Sequence, residues 1–456
     1  MKILIAGESV VGFRIAEELM ANHQIVYLAS EAYGGARLER LDAEAVAGDV
    51  TSPDSLRRAG VGSTEVFVAC SENDEQNIVS CIAAQRLGAK RTICILRRPG
   101  FLSVGGEDAE LADSLGIGLV IRPAEQLAEE IIRIVTVPGA LDVEEFYDGR
   151  VRLLSYAVDA DSPITRGPLA SLRLPKHLVL VMLRRGDEMI VPAGNTVVQS
   201  GDKVIAMGRW KAVRWLLQRF LRSESRGKDN RSATVVGGGN VGVQVVRGLE
   251  EAGWSVKLVE SNRERCEEIA SGLESMVLNG DGVDIDLLEQ ERIGESSVLV
   301  AVTDNDEKNL LVSLLAKQLG VKRIVTRADR LSNERLFEKV GIDVVRSARG
   351  AAIRSVIRTI DQTHSEIRAE IEHGDACVIE LKLPAGFPET RLRDLRPPTF
   401  SRVGAVVRGR RVTVPGGNDV LAGGDEVLVF STREDEERTR EFYLNPSRLQ
   451  RSEKRE

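Results

Sequence analysis

The chain is predicted to be an α/β protein made by tandem duplication. Two Rossmann-like, doubly wound parallel-sheet domains are each followed by a small α+β domain, in the order N-C-N-C. Three observations lead there. Thr234–Glu260, TVVGGGNVGVQVVRGLEEAGWSVKLVE, has a counterpart half a chain earlier in Met1–Glu31, MKILIAGESVVGFRIAEELMANHQIVYLASE. Each reads as an apolar strand, a Gly-bearing turn, an amphipathic helix and a second strand, the opening of a dinucleotide-binding βαβ unit. Val191–Gly208 and Val414–Ser431 align without a gap, Pro192 on Pro415 and Gly201-Asp202 on Gly424-Asp425. Finally, 456 residues exceed what one hydrophobic core holds, which suggests about two to four domains.

The first N-domain is expected over residues 1–123. Its strands are Lys2–Ala6, Ile25–Ala29, Ala45–Ala47, Glu65–Ala69, Thr92–Leu96 and Gly118–Ile121, and its helices Val11–Met20, Asp74–Leu87 and Glu107–Leu115. Such alternation implies a parallel sheet covered on both faces. Residues 124–139 follow as a helix and linker. Leu127, Ile131, Ile134 and Val135 give the helix one apolar stripe, which either packs on its own sheet or bridges to a neighbouring domain.

From residue 140 to 222 short strands, RVRLLSYAV, LVLVML and KVIAMG, with turn signals such as Gly201-Asp202, read as an α+β C-domain. Its last segment, RWKAVRWLLQRFL, carries Trp210, Val213, Leu216, Leu217 and Phe220 on a basic helix. That helix either lies on a membrane or partner or, the favoured reading, covers its own domain. Residues 223–231, SESRGKDNR, have linker composition. The pattern then repeats as a second N-domain at 232–348, a crossover helix at 349–365, a second C-domain at 366–442 and a tail at 443–456 expected to be disordered.

The second copy holds the stronger chemistry. Gly237, Gly239 and Gly242 fill GxGxxG between strand and helix, with Asn240 and Val241 opening the helix. The first glycine permits the turn, the second lets backbone approach a pyrophosphate, and the third packs helix on strand. Glu260 ends the next strand, placed to hydrogen-bond ribose hydroxyls and to repel a 2′-phosphate. NAD or an adenosine nucleotide is therefore expected over NADP. In the first copy Gly7 and Gly12 remain around Ser9, Val10 and Val11, while Ser9 stands for the second glycine and Ser30 for Glu260. Site one is expected to be weakened, retuned or empty.

Further candidates lie at the carboxyl ends of later strands, where open α/β sheets bind ligands. Asp49 and Val50 match Asp281 and Gly282, and Ser71 and Glu72 match Thr303 and Asp304. Asp74/Asn77 and Asp306/Asn309 serve either as helix caps or as ligand contacts. Arg327 is a candidate forked phosphate donor; Arg97 is its nearest first-half candidate, although Ile95 holds the corresponding position.

Composition narrows the function. With 43% apolar and 29% charged residues the chain is globular, and no apolar run approaches the roughly 18 residues of a membrane helix. The start MKILIAG lacks the parts of a secretory signal, so a cytoplasmic location is expected. Five cysteines without CxxC spacing read as buried, reduced fillers. A net charge of −7 with interspersed signs argues against nucleic acid. No metal site is expected: His364, His373, Glu366 and Glu370 match no ligand pattern and read as a solvated segment. No catalytic residues are assigned, because no placed proton donor, GxSxG, P-loop or carboxylate pair is present.

On the tandem order, VPGALDVEEFYDG (Val137–Gly149), the SENDEQN and TDNDEKN segments and the two VPxGNxxxxxGDxV stretches, the chain resembles the regulatory subunits of Trk-type bacterial and archaeal potassium uptake systems, built of two RCK (KTN) modules. The resemblance spans the chain to about Phe442. It implies a non-enzymatic gating subunit that binds NAD(H) and/or ATP/ADP. It also implies a ring, expected as a homo-tetramer with two modules per chain, peripheral on the inner face of the plasma membrane through an integral potassium-translocating partner. The competing readings are an NAD-dependent oxidoreductase and a free-standing nucleotide sensor.

Overall fold

The computed structural model describes residues 1–20, 23–33, 41, 43–98, 100, 108–137, 139–147, 149–186, 188–221, 231–364, 367–371, 375–395, 397–398, 400–409 and 411–445. The expected linker up to residue 230, the turn residue Asp148, the tail beyond Asn445, and the side chains of His364, Glu366, Glu370 and His373 lie outside them. Two compact units form, Met1–Ile132 with Asn230–His364, and Arg133–Asp229 with Ser365–Glu456. One collects both N-domains and the other both C-domains.

Each N-domain is a six-stranded parallel sheet. The first uses Lys2–Ala6, Gln24–Ala29, Glu44–Ala47, Val66–Ala69, Arg91–Ile95 and Leu119–Ile121. The second uses Ser232–Val236, Ser255–Glu260, Met276–Asn279, Val298–Ala301, Ile324–Arg327 and Val344–Arg346. In both, the hydrogen-bonded order is third, second, first, fourth, fifth, sixth, which puts the chain reversal between first and fourth strands beside the glycine turn. The short helix Pro53–Arg58, capped by Ser52 with proline at its start, was not foreseen; six residues are too few for a readable helical period.

The bridging reading of the helix after the first sheet agrees with its contacts. Helix Pro123–Thr136 sets Ile132 against Gly248 in the second N-domain, where a Cβ would come within 2.3 Å of Ile132 Cδ1. Reciprocally, Ala352, Val356 and Ile360 of helix Ala348–His364 enter the core of the first N-domain with Ile3, Ile5, Ile15 and Tyr27. Arg354 clamps Glu130 between the two helices, Nε to Oε1 at 2.9 Å and Nη2 to Oε2 at 2.5 Å. Each N-domain thus meets a helix of the other half, the first through Ala352, Val356 and Ile360 and the second through Ile132.

The C-domains carry matching five-stranded antiparallel sheets. Ala140–Phe146, Val151–Ala157, Leu178–Arg185, Glu188–Ile190 and Lys203–Gly208 correspond to Ile367–Ile371, Ala376–Lys382, Ser401–Arg408, Arg411–Thr413 and Glu426–Thr432. Phe146, Leu153, Met182 and Met207 from one sheet share a core with Val378, Ala405, Leu428 and Phe430 from the other. The duplicated Gly-Asp of the sequence becomes a duplicated clamp: Arg185 forks onto Asp202 and Arg408 onto Asp425.

The basic segment after the first C-domain covers its own domain, as favoured: Val213, Leu216, Leu217 and Leu221 are buried in that core. The expected tail needs correction, because helix Glu436–Leu444 extends past residue 442 and Tyr443 is fully buried. All five cysteines are free and buried, and burial pushes the Cys70 thiol up to about 12. Among the described residues no helix is long and apolar enough to cross a membrane.

Candidate nucleotide-binding sites

In the second N-domain, strand Ser232–Val236 turns at Gly237, whose φ is +112°. A Cβ at Gly237 would lie 3.0 Å from the Thr303 amide nitrogen, and one at Gly242 only 1.9 Å from the Gly237 carbonyl oxygen. Neither position has room for a side chain. Gly239 differs: a Cβ there would meet nothing within 4 Å. It precedes helix Asn240–Glu251 with no side-chain cap, so the positive end of the helix is left open to an anion. Val241 is buried beneath the first turn, and Gly239 and Asn240 are exposed.

Glu260 faces this turn from the end of the adjacent strand. Its Oε2 accepts the Gly238 amide at 2.6 Å and its Oε1 the Asn262 amide at 2.7 Å. Arg265, which the sequence reading missed, donates Nε to the Gly238 carbonyl at 3.0 Å. Beyond Glu260, Asp281 pairs with Lys308 at 2.9 Å. The Lys308 hydrogen bond, then the Val283 amide, hold the Asp281 carboxyl below the usual range. Gly282 makes room for Val236, whose Cγ1 would lie 2.3 Å from a Cβ at that position.

The first N-domain closes the same place. Ser9 Oγ accepts the Gly12 amide at 3.0 Å, capping helix Val10–Leu19, and is buried. Its hydroxyl is thus engaged as an acceptor toward the backbone. Tyr33 donates its hydroxyl to the Ser9 carbonyl at 2.9 Å. Val11 is buried below the turn.

The counterpart of Glu260 is corrected from Ser30 to Ala29. The Gly7 amide bonds the Leu28 carbonyl whereas Gly237 bonds Val259; Gly48 bonds Ala29 whereas Gly280 bonds Glu260. The first copy is one residue shorter between helix and strand, so ungapped counting slips by one. The carboxylate has moved across the gap: Glu8, in the turn, accepts the Ser30 amide at 3.0 Å.

At the next strand ends the alternatives for the paired Asp and Asn residues resolve into bracing. The helix caps are Asn73 and Asn305, accepting the Gln76 and Lys308 amides. Asn77 bridges the Ser71 backbone to the Ile95 carbonyl, and Asn309 bridges Thr303 to Arg327 in the same way. Asp74 accepts the Arg97 and Arg98 amides, and Asp306 those of Asp329 and Arg330. These four buried side chains tie strand ends together.

Arg327 does not present a free fork. Asp329 takes it at Nε and Nη2, 3.1 and 2.5 Å. Arg97 pairs with Glu72 and matches Asp329 in position, not Arg327. Asp304 is exposed. Asp49 accepts both the amide and hydroxyl of Thr51 at 2.8 Å, the amide and then the hydroxyl lowering its carboxyl. Gln76 stands where Lys308 does, so Asp49 has no equivalent cation. Val50, opposite Gly282, is buried in a core that also contains the small Ala6.

The TrkA-N domain family model matches residues 3–123 and 233–348, and the TrkA-C domain model matches 153–221 and 378–443. The chain is 32% identical over 444 residues to "Trk system potassium uptake protein TrkA homolog" of Archaeoglobus fulgidus, covering 97% of this chain and 100% of the relative. It is 30% identical over 444 residues to "Trk system potassium uptake protein TrkA" of Halomonas elongata, covering 94% and 95%. Among solved structures, the GsuK RCK domain superposes with a TM-score of 0.59 at 18% identity, covering 97% of this chain and 94% of that one. The NAD-bound GsuK channel gives 0.59 at 18%, covering 96% and 78%. Tandem matches to both domain models and full-length relatives lead to one conclusion: the chain belongs to the TrkA family of Trk-system potassium uptake proteins.

Proposed function

We propose that this chain is the nucleotide-binding regulatory subunit of a Trk-type potassium uptake system. It acts by binding rather than turnover, assembles into a ring as a homo-tetramer, and sits on the cytoplasmic face of the membrane through an integral potassium-translocating partner. One observation carries the reading: the helix behind Gly239 is uncapped and faced by Glu260, whereas Ser9 caps its counterpart. NAD(H) or ATP/ADP fits that pair, with phosphate on the helix amides and ribose hydroxyls on Glu260 in place of the Gly238 and Asn262 amides. The GsuK channel, similar in fold, has been solved with NAD, which supports the ligand class.

A ligand shifts a conformational equilibrium only by its differential affinity for the two states. Nucleotides of different phosphate length, if they differ in which state they prefer, can therefore bias the ring oppositely. The test is calorimetric titration of NADH, NAD, ATP and ADP into the wild type, Glu260→Ala and Ser30→Ala, followed by co-purification with the membrane subunit. One tight site per chain, lost in Glu260→Ala and kept in Ser30→Ala, is expected. Unchanged binding in Glu260→Ala overturns the site, and substrate-dependent consumption of the nucleotide overturns the non-enzymatic reading.

A further inference from the structure

The two N-domains differ at the edge of the sheet opposite the nucleotide sites. In the second, Asp343 precedes the sixth strand and its Oδ2 accepts the Ile324 amide at 2.8 Å. The carboxylate thus takes up an amide at the start of the fifth strand. The same register holds in the first domain: Gly116 and Gly341 both have positive φ, and Ile117 and Ile342 are both buried. Lys90-Arg91-Thr92 corresponds to Lys322-Arg323-Ile324, and the position of Asp343 is held by Gly118.

The first domain thereby lacks that CH2–COO⁻ group, and a cleft of about 320 Å³ lies at the position. Gln85, Lys90, Arg91, Thr92, Asp113 and Gly118 are among its lining residues. The Thr92 hydroxyl is engaged at the rim, accepting the Gly118 amide at 2.9 Å and donating to the Gly116 carbonyl at 3.1 Å. The Thr92 amide is a separate group. Leu96, four residues on, donates its amide to Ile121, and alternate residues of a strand point their amides to the same side. The Thr92 amide therefore turns toward position 118, where a Cβ would stand 3.6 Å from its nitrogen and, more tightly, 3.2 Å from the Thr92 carbonyl oxygen.

We propose that this cleft binds a small monocarboxylate, seated where the second domain uses its own Asp343. The ligand oxygen accepts the Thr92 amide, as Asp343 accepts Ile324, and Lys90 and Arg91 favour its negative charge. Asp113, also in the lining, disfavours a second negative charge. The volume is at the lower end of small-ligand sites, about 300 to 1,000 Å³. Acetate is the natural probe because it reproduces the atoms of an aspartate side chain.

The experiment is thermal unfolding of the full chain in sodium acetate against sodium chloride at equal ionic strength, with sodium sulfate as the polyanion control. Wild type should gain a saturable few degrees in acetate, roughly, by ligand linkage. Gly118→Asp should melt higher without acetate and lose the acetate response. Asp343→Gly should melt lower and acquire an additional one. An equal acetate response in wild type and Gly118→Asp, or none in wild type, overturns the site. A sulfate response as large as that of acetate overturns the monocarboxylate assignment.

Discussion

Glu260 accepts the Gly238 amide across the cleft between strand end and glycine turn, at 2.6 Å, and in the first N-domain the acid sits on the opposite bank, as Glu8 bonded to Ser30. In the proposed binding mode an acid at the strand end would meet ribose, whereas an acid in the turn would meet phosphate. Glu260→Ala is therefore expected to weaken nucleotide binding tenfold or more, about 1.4 kcal/mol, and Glu8→Ala to leave the tight site unchanged. Calorimetry on both variants checks this.

Gly239→Ser should separate stability from binding. Open space surrounds the missing Cβ, so the hydroxyl can cap Gly242 as Ser9 caps Gly12. A serine in place of a glycine cap adds a few tenths of a kcal/mol, while nucleotide affinity should fall about tenfold or more as the helix end is taken. Chemical denaturation and titration of one preparation should move in opposite directions.

The pair Val236 and Gly282 is matched by Ala6 and Val50, a large-small exchange. Gly282→Val alone should destabilise by about 1–3 kcal/mol through overpacking. Adding Val236→Ala should recover most of that loss, giving a coupling in a double-mutant cycle.

Acid should act on the C-domains through Asp202 and Asp425. Burial raises both carboxyls, but the Arg185 and Arg408 guanidiniums with the Gln199 and Ala422 amides outweigh it, and both end below the usual 3.8. A depressed folded value stabilises above the unfolded value and is lost as pH falls through the folded one. Melting temperature should thus drop as pH falls below about 4. Asp202→Asn with Asp425→Asn should flatten that drop and lower stability at neutral pH.

The alternation of strands and helices and the module order were legible because both rest on patterns that repeat. Gly237, Gly239 and Gly242 were legible because strand, turn and helix frame them. The identity of the Glu260 counterpart was not, since a one-residue shortening leaves the apolar pattern of strand Gln24–Ala29 intact and shows only in which carbonyl the Gly7 amide meets. Arg327 read as a free phosphate donor because Asp329, two residues on, gives no periodic signal of folding back on it. Asn77 and Asn309 look alike whether they brace or bind, and only their distant partners, Ile95 and Arg327, distinguish the two.

Ala352, Val356 and Ile360 reach the first sheet only after most of the chain has been translated. At about 5–20 residues per second, the ribosome needs on the order of tens of seconds to pass from the end of the first N-domain to the helix that covers it. During that interval the face bearing Ile3, Ile5 and Ile15 is a nascent, uncovered surface beside others on the same polysome. Synthesis of this protein should therefore be most vulnerable to aggregation in the window before residue 364 emerges, and a ribosome stalled there should recruit chaperones that the finished chain does not.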